Sequence, residues 1–378
     1  MYSKKQEQKS DYFITCGNVL ISSSINQKNI PELIKYDFNQ PQNGWNILIK
    51  NSCGLICYFD KFILIQNYEG IVSVINYEDG NILKEFSSQE FKISLPVFTK
   101  RLFNSKLNCY KGRIFERQFG LYDFITNEII WGREKMDGFW IHDFYIIKVA
   151  DSIVINNPYS EKVNWHFSLQ SLKETRPEQM EKYGTYEMKI NNFAGIANDI
   201  LWLDIDVVMN GSFLLGLDAE TGYPIHILDF VENQNQVDYV ALVPNRLPGT
   251  SYTTYDSKRN ILFGFKHDYF HWQVDLSESQ PKIKMWSVEE EMKNHHAFVS
   301  AYMNCGISDT HIFFPVGSLG STPQVFALNR ETLKVDWQYF FTESGQYFTP
   351  TKVEVTDTHL FVLDNTGTLH IFEKEENA

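Results

Sequence analysis

The chain has 378 residues, 43% of them hydrophobic and 15% aromatic, with 29 Phe and 20 Tyr, which supports a large core and favours strands. Its formal net charge of −13 opposes binding to nucleic-acid phosphates and suits a basic partner. No run of eighteen apolar residues is present to span a membrane, and Cys16, Cys53, Cys57, Cys109 and Cys305 lack zinc-type or redox spacing, the pattern of reduced thiols in a cytoplasmic protein.

In chain order, residues 1–11 carry lysines and no apolar h-region, so they read as a disordered tail and not as a secretory signal. From residue 12 to residue 378 the chain reads as one domain in which a phrase recurs. DFNQPQNGW (37–45) sets Asp37 eight residues before Trp45. NYEDGNILK (76–84) has Asn76, Asp79 and Gly80, with Lys84 at the end. LYDFITNEIIW (121–131) has Asp123, Thr126 and Trp131, and NPYSEKVNW (157–165) has Asn157, Ser160 and Trp165. DAETGYPIH (218–226) has Asp218, Thr221 and Gly222, with His226 in place of Trp. HWQVDLSESQPKIKMW (271–286) has a longer turn before Trp286. FALNRETLKVDW (326–337) has Asn329, Thr332 and Trp337, and TLHIFEKEENA (368–378) is a copy cut short.

The offsets have a physical cause. An alternating apolar run ends at an Asp or Asn, which bonds to its own backbone and opens a tight turn. A second run then returns to a large aromatic residue, making a β-hairpin. Another strand pair precedes each phrase, as in FILIQNYEGIVSVIN (62–76); near the end HLFVLDNTGTLHIF (359–372) is a similar hairpin. Each unit therefore holds about four strands, and the copies recur every ~50 residues, a spacing typical of propeller blades.

The phrase resembles the repeat of PQQ-like (quinoprotein-type) β-propellers, Ala-x-Asp-x-x-Thr-Gly-x-x-x-Trp. ALNRETLKVDW (327–337) matches it with Asn329 for Asp and Leu333 for Gly. GLDAETGYPIH (216–226) keeps Asp218, Thr221 and Gly222 and lacks the Trp. The resemblance covers approximately residues 12–372. It implies an all-β fold, a β-propeller of four-stranded antiparallel blades. The repeat count indicates eight blades; seven result if the two termini merge into one blade. The termini should lie side by side, since a closed ring removes its edges. Family tryptophans dock neighbouring blades, which implies that role for Trp45, Trp131, Trp165, Trp286 and Trp337.

Two stretches break the strand pattern. LQSLKETRPEQMEKYGTYEM (169–188) is charged and poor in β-branched residues, and a short helix is expected with Pro177 near its first turn and Glu178 behind it. VENQNQVDYVALVPNRLPGTSY (231–252) is a second irregular stretch. Glu178 and Glu181 beside Tyr183, together with Glu289, Glu290 and Glu291, suggest an acidic rim with an aromatic anchor for a protein partner.

No pattern of catalysis emerges. PQQ-binding relatives carry an adjacent cysteine pair and calcium; this chain has no such pair, so no cofactor is expected. His295 and His296 read as strand neighbours on opposite faces, and His267 and His271 lie in a strand and turn, so no metal site is expected. GSLGST (317–322) lacks the Gly-Lys-Ser/Thr ending of a phosphate loop and reads as a hairpin turn. The expectation is a non-catalytic, protein-binding propeller with neither nucleic acid nor membrane as a ligand. It resembles some immunity proteins encoded beside bacterial toxins, which implies a basic toxin as the partner, blocked sterically. The alternatives are a propeller enzyme acting on carbohydrate or peptide through a central funnel, and a general protein-assembly scaffold. Outer-membrane assembly propellers have that last role, but they are exported lipoproteins, and the chain shows no signal for export.

Overall fold

The computed structural model describes residues 2–51, 53–59, 61–69, 71–86, 91–92, 110–114, 118–123, 128–133, 138–141, 144–149, 152–156, 163–207, 211–229, 254–256, 258–266, 270–296, 305–316, 322–341 and 350–375. Among these residues there are eight four-stranded antiparallel sheets. Seven are built from consecutive strands, within 12–48, 53–86, 91–133, 138–168, 188–229, 254–287 and 306–340. The eighth combines three strands of 350–374 with one from the other end of the chain.

The residues group into two compact units. One comprises Met1–Lys135, Lys293–Phe298 and Met303–Ala378; the other comprises Met136–Met292 and Val299–Tyr302. In the first, Ile21, Leu33, Ile63 and Ile75 pack the 12–48 sheet on the 53–86 sheet. In the second, Ala197, Trp202, Leu262 and Trp272 pack the 188–229 sheet on the 254–287 sheet. Trp202 and Trp272 lie directly opposite Gly216 and Gly264 on their neighbouring strands. A Cβ at Gly264 would stand 2.6 Å from Trp272 Cζ2, so the glycine leaves the space the indole fills.

The N-terminus corrects the sequence expectation. Tyr2–Lys9 is not a disordered tail but a strand, running antiparallel to Thr368–Lys374 from Tyr2 opposite Lys374 to Lys9 opposite Thr368. It supplies the strand missing from the last repeat. Its polar composition conceals it, because an exposed edge strand needs no apolar alternation. Glu7 on this strand and Asp364 flank His370, at 3.0 Å from Nδ1 and 2.8 Å from Nε2. Burial would push the Asp364 carboxyl up. Hydrogen bonds from His370, the Thr366 hydroxyl and the backbone N–H groups of Thr368 and Thr366 outweigh it and hold the group below the usual carboxylate range. A depressed folded pKa contributes stability above the unfolded pKa of ~3.9 and loses it as pH falls through the folded value. Asp364→Asn is therefore expected to cost about 1–2 kcal/mol at pH 7. That difference should shrink below about pH 4, as read from thermal melts across pH.

The recurring phrase forms the turn between third and fourth strands. Asp218 Oδ1 accepts from Thr221 N at 2.7 Å and from the Thr221 hydroxyl at 2.8 Å. Asn329 Oδ1 accepts from Glu331 N at 2.9 Å and Thr332 N at 3.0 Å. The turn requires one left-handed residue. Gly80 and Gly222 fill that place with φ 74, whereas Leu333 fills it with φ 55. Since a left-handed L-residue costs about 1–2 kcal/mol and glycine loses more backbone entropy, Leu333→Gly should raise stability by about 0.5–1 kcal/mol in a urea titration.

The 169–188 stretch folds as helix α1 (Leu169–Thr175), helix α2 (Pro177–Met180) and a 3₁₀ turn at Glu181–Tyr183. Pro177 opens α2, at the expected place. Helix α1 was not expected; it starts at Ser168, whose hydroxyl accepts from Ser171 N at 3.0 Å. Leu169, Leu172, Met180 and Tyr183 are buried with Trp165 and Phe213, so the insertion belongs to the core of the second unit. A further helix, α3 (Glu289–Asn294), buries Met292.

Candidate binding surface

The tryptophans of the fourth strands reach the sheet that follows. Trp45 Nε1 donates to Tyr77 O at 2.9 Å, Trp165 Nε1 to Ala219 O at 3.0 Å, and Trp337 Nε1 to Tyr2 O at 3.0 Å. Tyr2 lies on the neighbouring sheet, and Tyr77 and Ala219 lie in the turns that follow third strands. The ring of Trp165 covers Gly222, where a Cβ would stand 2.4 Å from Cε3. Buried Lys35 adds a second donor to Tyr77 O at 3.0 Å, with its Nζ 3.8 Å from the Tyr77 ring centroid. Trp286 stacks within its own sheet on His271, with centroids 5.7 Å apart. His226, in the tryptophan place, stacks on Trp202 at 5.6 Å, and burial lowers its pKa. The Trp131 side chain lies outside the described residues.

The residues expected to form an acidic rim lie on two separate segments, the 169–188 insertion and helix α3. Glu178 and Glu181 are exposed. Tyr183 is 4% exposed and stacks on Phe213 at 5.0 Å, so it is a core residue and not an anchor for a partner. Burial pushes its phenol well up. Charges balance across 169–189, with Lys173, Arg176, Lys182 and Lys189 against Glu174, Glu178, Glu181 and Glu187. Glu289, Glu290 and Glu291 form the first turn of α3, after a different sheet, where carboxylates complement the helix dipole. His295 and His296 follow in a turn and not in a strand. The His295 ring is 3.2 Å from Gln338 Oε1, and the His296 carbonyl accepts from Gln324 Nε2 at 2.8 Å. Residues 231–252 and residues 317–321, which the sequence reads as part of a hairpin turn, lie outside the described residues.

On the first strands the charged pair Lys352 and Glu354 ties two sheets together. Glu354 Oε1 is 3.1 Å from Lys352 Nζ, and its Oε2 accepts from Thr15 N at 2.8 Å and from the Thr15 hydroxyl. Lys352 also donates to Phe13 O. These atoms hold the 350–374 sheet against the 12–48 sheet.

A surface the sequence did not mark stands between the 12–48 and 53–86 sheets. It is a cleft of about 150 Å³ lined by Leu48, Ile65, Ile71 and Ile82, with Lys50 and Glu85 among its other walls. Lys50 Nζ and Glu85 Oε2 pair at 2.6 Å. Leu48 is 60% exposed, Ile82 45%, and Tyr68, next to the lining residue Asn67, 72%. A sequence signal did exist: in Trp45–Leu48 alternate residues face outward, and the outward Leu48 is apolar.

Four-stranded antiparallel sheets, hairpins turned by a side-chain oxygen, and tryptophans seated on the next sheet together define a β-propeller. No protein-family model matches the chain, and no curated protein matches it. Solved structures share its fold. BamB from Moraxella catarrhalis has a TM-score of 0.55 at 11% identity, covering 100% of this chain and 99% of that one. Sqt1 from Saccharomyces cerevisiae has a TM-score of 0.52 at 10% identity, covering 99% and 98%. The computationally designed Ika8 protein has a TM-score of 0.50 at 11% identity, covering 98% of both chains. At such identities the likeness is one of fold alone. Among the described residues no helix is long and apolar enough to cross a membrane.

Proposed function

We propose that this propeller is a non-catalytic protein-binding domain. Its sharpest form is a cytoplasmic immunity protein that covers the active site of a basic bacterial toxin. The observation that carries the protein-binding reading is the cleft with Leu48 and Ile82 exposed on its walls. Exposed apolar side chains at a hollow mark interaction sites, and exposed Tyr68, next in the chain to the lining residue Asn67, adds an aromatic candidate. The net charge of −13 supports a basic partner, through faster encounter and rejection of acidic surfaces.

The test is capture of partners from the native host by the purified chain, followed by a titration. Tyr68→Ala combined with Leu48→Asp should weaken binding by about a hundredfold, ~2.7 kcal/mol, with an unchanged melting temperature, because neither side chain is in the core. Affinity should also fall as salt rises. Unchanged affinity in the double variant would overturn the assignment of the cleft. A captured partner that does not harm cells on its own would replace the immunity reading with the scaffold reading.

A further inference from the structure

The strand Tyr2–Lys9 holds its sheet together on unusual terms. In the seven other sheets the outer strand follows its neighbour directly in the chain. Here it comes from the opposite terminus, and none of its eight residues is buried. Its aromatic hold is Tyr2, whose ring packs edge-on against Phe313 at 5.4 Å and Trp337 at 5.8 Å. Partial burial of its ring pushes that phenol up to about 12. The rest is polar and largely open to solvent. Lys5 pairs with Glu373 at 3.1 Å with both side chains about half exposed, Lys9 reaches the Thr368 hydroxyl at 3.1 Å, and Glu7 meets His370. The ladder is also interrupted between Lys4 and Gln6. Exposed ion pairs contribute little, and a short strand with little buried apolar area belongs to the least protected part of a fold.

We infer that Tyr2–Lys9 is an exchangeable latch, and that a second copy of this chain can supply the strand that closes the Thr368–Lys374 edge. The occupant follows from complementarity. The edge offers His370 to a glutamate, Glu373 to a lysine and the Phe313–Trp337 corner to an aromatic ring, and the sequence of Tyr2–Lys9 presents all three in register. Only Ser10 and Asp11 separate this strand from Tyr12–Cys16. Such short hinges favour swapping, because an opened strand cannot readily fold back by another route. Each exchanged strand would remake every contact of the closed form, so dimerisation would need no new interface.

The full-length chain carrying Ser3→Cys and Glu373→Cys tests this, since those residues lie opposite one another in the ladder. Incubated reduced over a range of concentrations and then oxidised, it should yield an interchain disulfide dimer on a non-reducing gel. The dimer share should rise with concentration, and Tyr2→Ala should increase it several-fold. In the unaltered chain, amide hydrogens of 2–9 should exchange at least about tenfold faster than those of 359–364, equivalent to ~1.4 kcal/mol in opening free energy. Intrachain disulfide alone at every concentration would overturn the proposal. So would an equal dimer yield from Ser3→Cys without its partner cysteine, or equal protection of 2–9 and 359–364. A foreign peptide crosslinked to Cys at position 373 would overturn the choice of occupant.

Discussion

Trp165→Ala is expected to cost about 3–5 kcal/mol. The residue is buried in the core of the second unit beside Phe167, Leu217 and the insertion residues Leu169 and Tyr183. Truncation leaves a cavity that a sheet-to-sheet contact cannot easily close. It also strips the Ala219 carbonyl of its indole donor at 3.0 Å. Trp45→Ala, at a half-buried position, should cost visibly less. Urea titrations of the two variants provide the comparison. Equal losses would mean that burial does not set the energetics of these contacts.

Gly222→Ala should cost about 2–5 kcal/mol, from two sources. The residue has φ 74, a conformation costing an L-residue about 1–2 kcal/mol. The new methyl would also stand 2.4 Å from Trp165 Cε3 and 2.6 Å from Cδ2, and overpacking of that kind typically costs about 1–3 kcal/mol. The steric part depends on the indole, so the two substitutions should not add. With Trp165→Ala already present, Gly222→Ala should cost only the backbone share, about 1–2 kcal/mol. Full additivity in the double-mutant cycle would show that the glycine and the tryptophan are energetically independent. Gly80→Ala is a milder control, with the added carbon 2.9 Å from Trp45 Cδ2.

These residues also show how far the fold was legible. Asp218, Thr221 and Gly222 announce their turn because donor and acceptor are three residues apart, and any chain with that spacing can make the bond. The tryptophans could be placed at the ends of hairpins for the same reason. Their acceptors could not: Trp45, Trp165 and Trp337 bond to carbonyls 32, 54 and 335 positions away. Trp286, in the copy with the longer turn, stacks on His271 inside its own sheet.

The candidate site was less legible than the strands and turns. Tyr183 sits among glutamates in the sequence, but the burial of Leu169, Leu172 and Met180 beside it carries it into the core. Glu289, Glu290 and Glu291 look like a free acidic run, yet Met292 anchors them as the first turn of a helix. The cleft by Leu48 joins residues from 48 to 85; alternation marks Leu48 singly as outward and apolar but does not show which residues are its neighbours.

Strand alternation, the side-chain-closed turns and the repeat of about four strands are short-range properties, settled by sterics and hydrogen bonds within a few residues. They are enough to specify blades. The closing strand Tyr2–Lys9, the seats of the tryptophans, the buried Tyr183 and the open cleft depend on which distant backbones meet. Polar or ambiguous segments carry no local mark of such meetings, because their partners are chosen by the packing of whole sheets.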